Sequence, residues 1–411
     1  MLISLCDQNV IQYLQTIGVS SLGDEAEYTQ LFNSSKKNFN LQVTLPGNRQ
    51  LLVKQERHIE NDGTQQELFK EWIFHQLLQR FPVLGNISAI ASLVTHFDEE
   101  NSILVRNYLT DYLELASFYH HNSYFPEAIP IALGTTLGVL HRATFNRQEY
   151  RNFMATAPQG EFRYQFYNPV QGIESIEPKI FSTVPLEALK FYVLYQRYES
   201  LEAAIAELAS EWRPCCLTHN DLKFENILVH SRWEQLDNCL VRLIDWEACG
   251  WGDPAYDLGS LVASYLKIWL HSLIVDPTIE LEESLQLAMT PLEVIQPSML
   301  VLLRSYLNAF PMILEYRQDF ILRVVQFAGL ILIHHIQQTI QDCKYFNNTG
   351  LCMLQIAKTL LTAPQQSVFT VFGLSESEIT KHVAKLATHP QVDTQQNLLR
   401  LYYNKTRLRG F

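Results

Sequence analysis

Apolar and polar positions along the chain separate an early stretch with strand patterns from later stretches with helical patterns. Residues 39–55 form two apolar-rich runs around Pro46-Gly47-Asn48, which predicts a β-hairpin with a tight turn. Apolar residues at helical spacing between 65 and 81 predict a helix after the hairpin. Short apolar runs at 215–217 and 227–229 predict two buried strands with a polar loop between them.

The second half of the chain is mostly helical in pattern. Apolar residues alternate with Glu and Arg at helical spacing over 186–212, and Pro214 ends that segment. Most of 297–361 has a helical pattern as well. Ser375 and Glu378 have the spacing of a capping box, in which each side chain satisfies a backbone amide of the other residue. They predict a short helix near the C-terminus.

Length and composition fit a folded protein with two cores. A chain of 411 residues is long for one domain, and 47% hydrophobic with 18% charged residues is an ordinary globular composition. The formal net charge of −12 disfavours a nucleic acid as partner. It is compatible with a cationic substrate, although many proteins of other functions are equally acidic. The sequence leaves the oligomeric state open.

The N-terminus, the cysteines and the longest apolar stretches predict a cytoplasmic protein without a membrane partner. The N-terminus has no basic residue and meets an acid at Asp7, so no secretory signal is expected. Seven cysteines without a Cys-x-x-Cys pair predict neither a disulfide framework nor a zinc site. Lysine or histidine residues interrupt the apolar stretches 261–275 and 327–336, so neither is expected to span a membrane.

The polar loop between the two buried strands carries a recognisable motif. His219, Asp221 and Asn226 have the spacing H-x-D-x-x-x-x-N, which resembles the catalytic loop of kinases. In that loop the aspartate accepts or orients the proton of an attacking hydroxyl, and the asparagine holds magnesium on the phosphates. The resemblance therefore implies that Asp221 is catalytic and that Asn226 is a metal ligand.

A second motif narrows the resemblance. Asp245 ends a strand-like run, where kinases place a carboxylate that ligates magnesium. The chain continues Asp-Trp-Glu and then Gly-Asp-Pro-Ala-Tyr-Asp-Leu, where protein kinases have Asp-Phe-Gly. This variant resembles the aminoglycoside phosphotransferase and choline kinase group, which shares the kinase fold and usually phosphorylates small molecules. The resemblance makes Asp245 a metal ligand and gives Asp253 and Asp257 structural roles.

The same resemblance implies an α+β, protein kinase-like bilobal fold. We expect a small nucleotide-binding lobe with an antiparallel sheet at 1–106. A larger, mainly helical lobe at 107–373 is expected to carry catalysis and the acceptor pocket, and 374–411 to form a helical C-terminal extension. ATP and Mg²⁺ are the expected cofactors.

Lys54, at the end of the second hairpin strand, resembles the lysine with which kinases neutralise nucleotide phosphates. The alternative is a solvated lysine at a strand end. Glu71 on the following helix matches the glutamate that orients this lysine through an ion pair, and Glu67 lies one turn earlier on the same face. We assign Lys54 to nucleotide binding, with Glu71 as its partner.

The remaining nucleotide contacts are predicted from position. The loop that covers the phosphates falls ahead of the hairpin in a stretch without glycine, and its Ser34 and Ser35 are as compatible with a plain turn as with phosphate binding. The segment 103–109 resembles the linker between the lobes, where backbone groups read adenine. This resemblance places Arg106 and Tyr108 beside the nucleotide.

Two side chains near these motifs have competing interpretations. Lys223 lies in Asp-Leu-Lys, a sequence that Ser/Thr kinases often carry and in which the lysine meets the transferring phosphate. A solvent-facing lysine is the alternative, and we assign Lys223 to catalysis with Asp221. His141, at the end of a predicted helix, is expected to be buried and to hydrogen-bond backbone rather than to act in catalysis.

The expected activity is transfer of the γ-phosphoryl group of ATP to a hydroxyl of a small molecule such as an amino sugar or amino alcohol. Lys223 and the C-terminal extension are also compatible with a kinase that phosphorylates Ser or Thr in peptides, in natural-product maturation of lanthipeptide type. A pseudokinase scaffold is the third hypothesis. The loop without glycine supports it, and the complete set of catalytic residues argues against it.

Overall fold

The computed structural model describes most of the chain. The described residues are 3–6, 8–20, 27–30, 38–56, 67–85, 87–90, 93–122, 124–156, 168–170, 185–236, 240–275, 278–279, 283–284 and 287–381. Ser34 and Ser35 lie outside the described residues, and so does 382–411, the larger part of the predicted C-terminal extension.

Ten strands lie within the described residues and form three sheets. They are β1 (Glu27–Gln30), β2 (Asn38–Leu45), β3 (Arg49–Glu56), β4 (Val94–Asp98), β5 (Ile103–Asn107), β6 (Tyr112–Glu114), β7 (Cys216–Thr218), β8 (Ile227–His230), β9 (Val241–Leu243) and β10 (Gly250–Gly252). The first sheet is antiparallel with the order β1-β2-β3-β5-β4. β6, β8 and β9 form a second antiparallel sheet, and β7 pairs with β10.

Besides short helical stretches at 283–284 and 376–381, the same described part of the chain contains fourteen α-helices. They are α1 (Val10–Thr16), α2 (Glu67–Arg80), α3 (Pro82–Gly85), α4 (Leu115–Asn122), α5 (Ala128–Thr144), α6 (Gln148–Met154), α7 (Leu186–Gln196), α8 (Glu199–Ser210), α9 (Pro254–Ser272), α10 (Leu292–Ala309), α11 (Ile313–Tyr316), α12 (Phe320–Cys343), α13 (Asn348–Thr362) and α14 (Pro364–Phe372). The predicted α+β class is confirmed, because a small antiparallel sheet precedes a mainly helical remainder.

The chain forms two compact units, each built from separate segments. The first unit comprises Met1–His121, Asn146–Tyr167 and Leu217–Trp251. The second unit comprises Asn122–Phe145, Asn168–Cys216 and Gly252–Phe411. The first unit therefore holds the five-stranded sheet together with Asp221, Asn226 and Asp245, whereas the Gly-Asp-Pro-Ala-Tyr-Asp-Leu run from Gly252 belongs to the second unit. The predicted division of the chain at 106 and 373 follows chain order, and it stays a prediction.

The predicted hairpin forms as β2 and β3. Gly47 and Asn48 have φ values of 80° and 63°, the left-handed conformation that glycine and asparagine tolerate at low cost. The turn sets a register in which Leu45 pairs with Arg49 and Asn40 pairs with Lys54. Because directly opposed residues of an antiparallel pair point to the same face, Asn40 and Lys54 share one face of the sheet.

The other face of this sheet is apolar and is covered by α1. Successive side chains of a strand alternate between faces, so every second residue of β2, β3 and β5 joins the same core. The core comprises Val10, Tyr13, Leu14, Leu41, Val43, Leu45, Leu51, Val53, Ile103 and Val105. The intervening positions leave Asn40, Lys54 and Arg106 together on the opposite, polar face.

The helix α2 is anchored to the strand that carries Lys54. Glu56 lies two residues beyond Lys54, and its Oε1 accepts a hydrogen bond from the backbone amide of Leu68 at 2.8 Å. A carboxylate at a helix N-terminus satisfies a free amide and is favoured by the helix dipole. Leu68 and Phe74 are buried as well, so packing fixes the rotation of the helix.

Within the second unit, α5 and α10 approach closely through two glycines of α5. A Cβ atom at Gly134 would collide with the carbonyl oxygen of Leu302. A Cβ atom at Gly138 would lie 2.6 Å from the Cβ of Ala309. Larger residues at these two positions would push the helices apart, since packed interiors leave no spare volume.

His141, near the end of α5, is fully buried and has a structural role. Its Nδ1 lies 3.1 Å from the hydroxyl of Tyr306, and its Nε2 lies 3.3 Å from Oδ2 of Asp257. The prediction that His141 is a buried, structural histidine is confirmed. The predicted backbone partner was wrong, because two side chains of the helical unit supply its hydrogen bonds.

The C-terminal capping box is confirmed in part. Oε2 of Glu378 accepts from the backbone amide of Ser375 at 2.9 Å, as the motif requires. The hydroxyl of Ser375 donates to the same carboxylate at 2.6 Å instead of accepting from the amide of Glu378. Ile379, in the helical turn that follows, is fully buried. This part of the extension therefore belongs to the core of the second unit.

The helix α12 is long and apolar enough by length and composition to cross a membrane, with a mean hydropathy of 1.5 over its most apolar window. Of that window, 72% is buried. The helix packs against α9 and α13 of the same unit. Its apolar character is therefore accounted for by the protein core.

A pH dependence of stability follows from His334 in α12. Burial lowers the pKa of His334 to about 4. Because this pKa lies below that of an unfolded histidine, the unfolded chain binds more protons, and stability present at neutral pH is lost as the pH falls from about 6.5 towards 4. We expect His334→Gln to remove about 2 kcal/mol of the stability loss between pH 7 and pH 5, measured by denaturant unfolding. His120→Gln, at an exposed site, is the control; an unchanged pH dependence in His334→Gln would contradict the expectation.

Candidate active site

The loop after β7 is held in shape by Asn220. This residue has φ 64°, a left-handed conformation that asparagine adopts more readily than most residues. Its Nδ2 donates to the carbonyl of Ala248 at 3.1 Å, and the hydroxyl of Thr218 donates to its Oδ1 at 2.8 Å. The bond to Ala248 joins the two motif segments, because Ala248 follows Asp-Trp-Glu in the second segment.

The loop brings the three predicted residues Asp221, Lys223 and Asn226 together. Nδ2 of Asn226 donates to Oδ2 of Asp221 at 2.9 Å and to its backbone oxygen at 2.8 Å. The ammonium of Lys223 lies 2.8 Å from Oδ2 and 3.2 Å from Oδ1 of the same carboxylate. Lys223 thus contacts Asp221 instead of facing solvent alone. Asp221 is oriented by two donors, and Oδ1 is its less engaged oxygen.

A backbone hydrogen bond sets Asn226 beside Asp245. The amide of Ile244 donates to the carbonyl of Asn226 at 3.0 Å. Asn226 ends the short 3₁₀ turn Phe224–Asn226, directly before β8. Asn226 and the residue directly before Asp245 are therefore paired at the end of the β8–β9 ladder, although they lie far apart in sequence.

Asp245 adopts a conformation that is uncommon for aspartate, with φ 61° and ψ 60°. The adjacent Trp246 holds this turn, because its ring stacks on Phe74 of α2 at 3.9 Å and its Nε1 donates to the carbonyl of Leu243 at 3.1 Å. The side chain of Asp245 remains 27% exposed. Backbone strain of this kind is often found at functional sites, where the surroundings enforce it.

Lys54 lies between two carboxylates. Its ammonium is 3.2 Å from Oε2 of Glu71 and 2.7 Å from Oδ1 of Asp245. The Lys54 and Glu71 side chains are each only 5% exposed, so the solvated-lysine alternative is wrong. The predicted ion pair of Lys54 with Glu71 is present.

Arg106 does not occupy the linker position that the sequence suggested. It lies inside β5, opposite Leu52 of β3. Its guanidinium reaches Oε1 of Glu71 at 3.5 Å and Oδ1 of Asp245 at 3.3 Å. The interpretation of Arg106 as a linker residue was therefore wrong. The strand β5 continues through 107, and the side chain of Arg106 joins Lys54, Glu71 and Asp245 in one charged cluster.

Tyr108 follows directly after β5. Its backbone amide donates to the carbonyl of Gln50 at 2.9 Å, so this donor is already used by the hairpin. Its side chain is exposed. A contact of Tyr108 with a nucleotide stays a prediction.

The charges of this cluster stabilise one another. Burial alone would lower the pKa of Lys54, but the carboxylates of Asp245 and Glu71 outweigh it and raise the pKa above its ordinary value. Burial alone would raise the pKa of Asp245, but Lys54 and Arg106 outweigh it and lower the pKa below its ordinary value. At neutral pH Lys54 is therefore protonated and Asp245 is ionised.

The family of the chain can be assigned from this site and the sequence around it. A model of the APH family, the phosphotransferase enzyme family, matches residues 30–280. The match spans more than half of the chain and includes Lys54, Asp221 and Asp245. This chain belongs to the phosphotransferase enzyme family. The resemblance inferred from the motifs is confirmed, and the protein is a kinase with an alcohol group as acceptor.

Of two solved structures that resemble this chain, the first supports its fold. The amicoumacin kinase hAmiN, in complex with AMP-PNP, Ca²⁺ and Ami, is 14% identical with a TM-score of 0.50, over 87% of this chain and 93% of that one. The choline kinase LicA from Streptococcus pneumoniae is 16% identical with a TM-score of 0.43, over 87% and 99%. At these identities the likeness concerns the fold alone. No curated protein matches the sequence.

The donor atoms of this phosphotransferase fit a magnesium ion shared with phosphates. No group of three or more His, Cys, Asp or Glu side chains in the described part of the chain could hold a metal by itself. Magnesium in kinases takes one or two protein ligands and completes its shell with phosphate and water. Lys54 and Arg106 both contact Oδ1 of Asp245, so Oδ2 of this carboxylate is available to a metal. Asn226 donates its hydrogen bonds through Nδ2, so its amide oxygen Oδ1 is available as well.

Asn40 is a further candidate for the site, and the motif analysis did not name it. It is 7% exposed, and its Oδ1 has no hydrogen-bond partner among the described residues. It lies opposite Lys54 on the polar face of the sheet. A buried amide oxygen without a partner is costly, so a ligand that supplies a donor is the natural explanation. The predicted register of the hairpin would have identified it, because residues 40 and 54 are equidistant from the turn.

A trade-off between stability and binding is expected at Asn40. Asn40→Val removes the unsatisfied oxygen and favours the strand, so we expect a gain of about 1 kcal/mol in the free energy of unfolding. ADP binding should weaken about tenfold, since one hydrogen bond to the ligand is lost. Calorimetric titration and denaturant unfolding measure the two effects. Thr44→Val, on the same face of the same strand, is the control. A less stable Asn40→Val variant with normal ADP binding would contradict this explanation.

Proposed function

We propose that this phosphotransferase moves the γ-phosphoryl group of ATP, with Mg²⁺, to a hydroxyl of a small molecule of the amino-sugar or amino-alcohol type. The observation that carries the proposal is the grouping of Asp221, Asn226, Asp245 and Lys54 in one compact unit. These are the residue types that phosphoryl transfer requires for acceptor, metal and phosphate. A scaffold without catalysis would have no need to retain all four.

Each residue has a role that its contacts support. Oδ1 of Asp221 is the less engaged oxygen of a carboxylate oriented by Asn226 and Lys223, and we assign it to accept the proton of the acceptor hydroxyl. Lys223 lies beside it, where a cation stabilises charge on the phosphoryl group in transit. Lys54 is assigned to the phosphates of the nucleotide.

Asn226 and Asp245 are the residues that would hold Mg²⁺. When bound, the ion neutralises phosphate charge and orients the γ-phosphoryl group. Asp245 is suited to this because Lys54 and Arg106 keep it ionised. Asn226 contributes a neutral oxygen and also positions Asp221, so one side chain connects the metal site with the acceptor site.

A peptide acceptor is the second candidate, and Lys223 is the observation that favours it. Lys223 lies in Asp-Leu-Lys, a sequence that kinases acting on Ser or Thr often carry, and its ammonium lies 2.8 Å from the carboxylate of Asp221. The amino-sugar proposal takes precedence because it follows the usual acceptor class of the family that the motifs resemble. Ser and Thr peptides therefore belong in the same acceptor panel.

The proposal is tested by ADP release in the presence of Mg²⁺ against aminoglycosides, amino alcohols, sugars and Ser/Thr peptides. We expect stimulation by an amino sugar or amino alcohol, and loss of that stimulation in Asp221→Asn. Stimulation by peptides alone would transfer the proposal to the peptide class. Failure to bind ATP would overturn it.

A truncation separates the two acceptor classes further. Removal of 374–411 would take away the buried Ile379 and endanger the fold, so the cut is better placed after residue 381. If the acceptor is a small molecule, we expect turnover to survive this shorter truncation. Selective loss of peptide modification, with ATP binding retained, would instead assign the tail to peptide recognition.

A further inference from the structure

Three buried charges and the half-buried Asp245 form a closed arrangement in the first unit. Lys54 contacts Glu71 at 3.2 Å and Asp245 at 2.7 Å, and Arg106 contacts the same two residues at 3.5 and 3.3 Å. Each carboxylate thus touches both cations, and the formal charges cancel. Arg106 is 8% exposed and Glu71 is 4% exposed, so water offers them little compensation.

The proposed role of Lys54 weakens this arrangement, and a second cation beside the two carboxylates offsets that loss. One donor of the Lys54 ammonium remains for a phosphate, and closer engagement of the phosphate draws the ammonium away from a carboxylate. A buried carboxylate that loses its partner is strongly destabilised. An ammonium also has only three donors, and two of them already point to Glu71 and Asp245.

The guanidinium of Arg106 is suited to remain in place while Lys54 moves. Its fixed fork of five donors can serve two carboxylates at once, and it stays charged when buried. It extends from β5, an inner strand of the sheet, with Leu52 of β3 opposite it. Apolar side chains line the space around it, namely Phe74, Ile90, Leu93, Val94, Leu243 and Trp246.

We propose that Arg106 is a positioning residue, the resident counter-ion that holds Glu71 and Asp245 while Lys54 turns to the nucleotide. This inference rests on the proposed binding of ATP and magnesium. It implies two opposite effects of the guanidinium charge. Arg106 favours binding of the anionic nucleotide in the absence of metal, and it disfavours binding of a metal cation at Asp245, 3.3 Å away.

The test uses Arg106→Met and Arg106→Gln, which remove the charge, and Arg106→Lys, which keeps it. The methionine can fill the apolar surroundings, and the glutamine is a second neutral variant if the first is unstable. ADP binding is measured by calorimetry with a chelator present. Mn²⁺ binding to the complex with a non-hydrolysable ATP analogue is measured by electron paramagnetic resonance. Neither readout depends on turnover.

For the neutral variants we expect metal-free ADP binding to weaken about tenfold and Mn²⁺ binding to tighten several-fold, whereas Arg106→Lys, which keeps the charge and lacks the fork, falls between them and the wild type. A purely structural role would weaken both kinds of binding together. That outcome, or unchanged affinities, would overturn the inference. A wild-type protein that binds no nucleotide would instead overturn the proposed function on which the inference rests.

Discussion

The Asp221→Asn variant is expected to lose about 10³-fold in phosphoryl transfer while it still binds ATP. The amide keeps the shape of the side chain, but it cannot accept the proton of the acceptor hydroxyl. It also gives up the charge that pairs with Lys223 at 2.8 Å. The carboxylate of Asp221 has no contact with Lys54 among the described hydrogen bonds and ion pairs, so we expect Lys54 to bind the nucleotide phosphates as in the wild type. Single-turnover transfer and ADP titration measure the two properties separately.

The matched control is Asp111→Asn, the same change at an exposed position of the first unit. Its transfer rate should equal that of the wild type. Transfer by Asp221→Asn within a few-fold of the wild type would remove Asp221 from the catalytic role. A parallel loss of nucleotide binding would mean that the carboxylate organises the site as a whole.

The Asp245→Asn variant is expected to lose about 10³-fold in kcat/KM and to require much more Mg²⁺ for half-maximal activity. The backbone should tolerate the change, because asparagine adopts the left-handed conformation at φ 61° readily. The substitution removes the negative charge of the Asp245 side chain. Lys54 and Arg106 then share Glu71 as their common carboxylate, and a carboxylate ligand of the metal becomes a neutral amide.

The measurement is turnover as a function of Mg²⁺ concentration, with Asp111→Asn again as the control. A rightward shift of the metal dependence together with a low rate supports the assignment. If Asp245→Asn loses activity and its metal dependence is unchanged, the carboxylate serves Lys54 and Arg106 alone. Asn226 and a phosphate would then be the remaining metal ligands.

The sequence predicted the parts of the site that depend on short-range patterns. The hairpin with Lys54, the loop with Asp221 and Asn226, and the turn at Asp245 are each defined by turn residues and flanking apolar runs. Glu71 followed from its resemblance to the helix glutamate that orients the lysine in kinases. In all these cases the local chemistry and the final position agree.

Arg106 and Asn40 show where sequence reasoning ended. Arg106 was misplaced because nothing in its local composition marks the end of β5 at Asn107, so a strand residue was read as linker. Asn40 was missed because its importance depends on its burial without a partner for Oδ1, which only the folded sheet reveals, although the hairpin register already pairs it with Lys54. Similarly, the helix predicted over 186–212 is two helices, α7 and α8, separated at 197–198.

The central claim is tested most directly by following the γ-phosphoryl group itself. ATP labelled in that group is incubated with Mg²⁺, the wild-type protein and each acceptor, and the label is located by mass spectrometry. The account predicts that the label appears on a hydroxyl of one acceptor class and that Asp221→Asn, saturated with ATP, leaves it on the nucleotide. Label released only to water, or transferred equally by Asp221→Asn, would contradict the account.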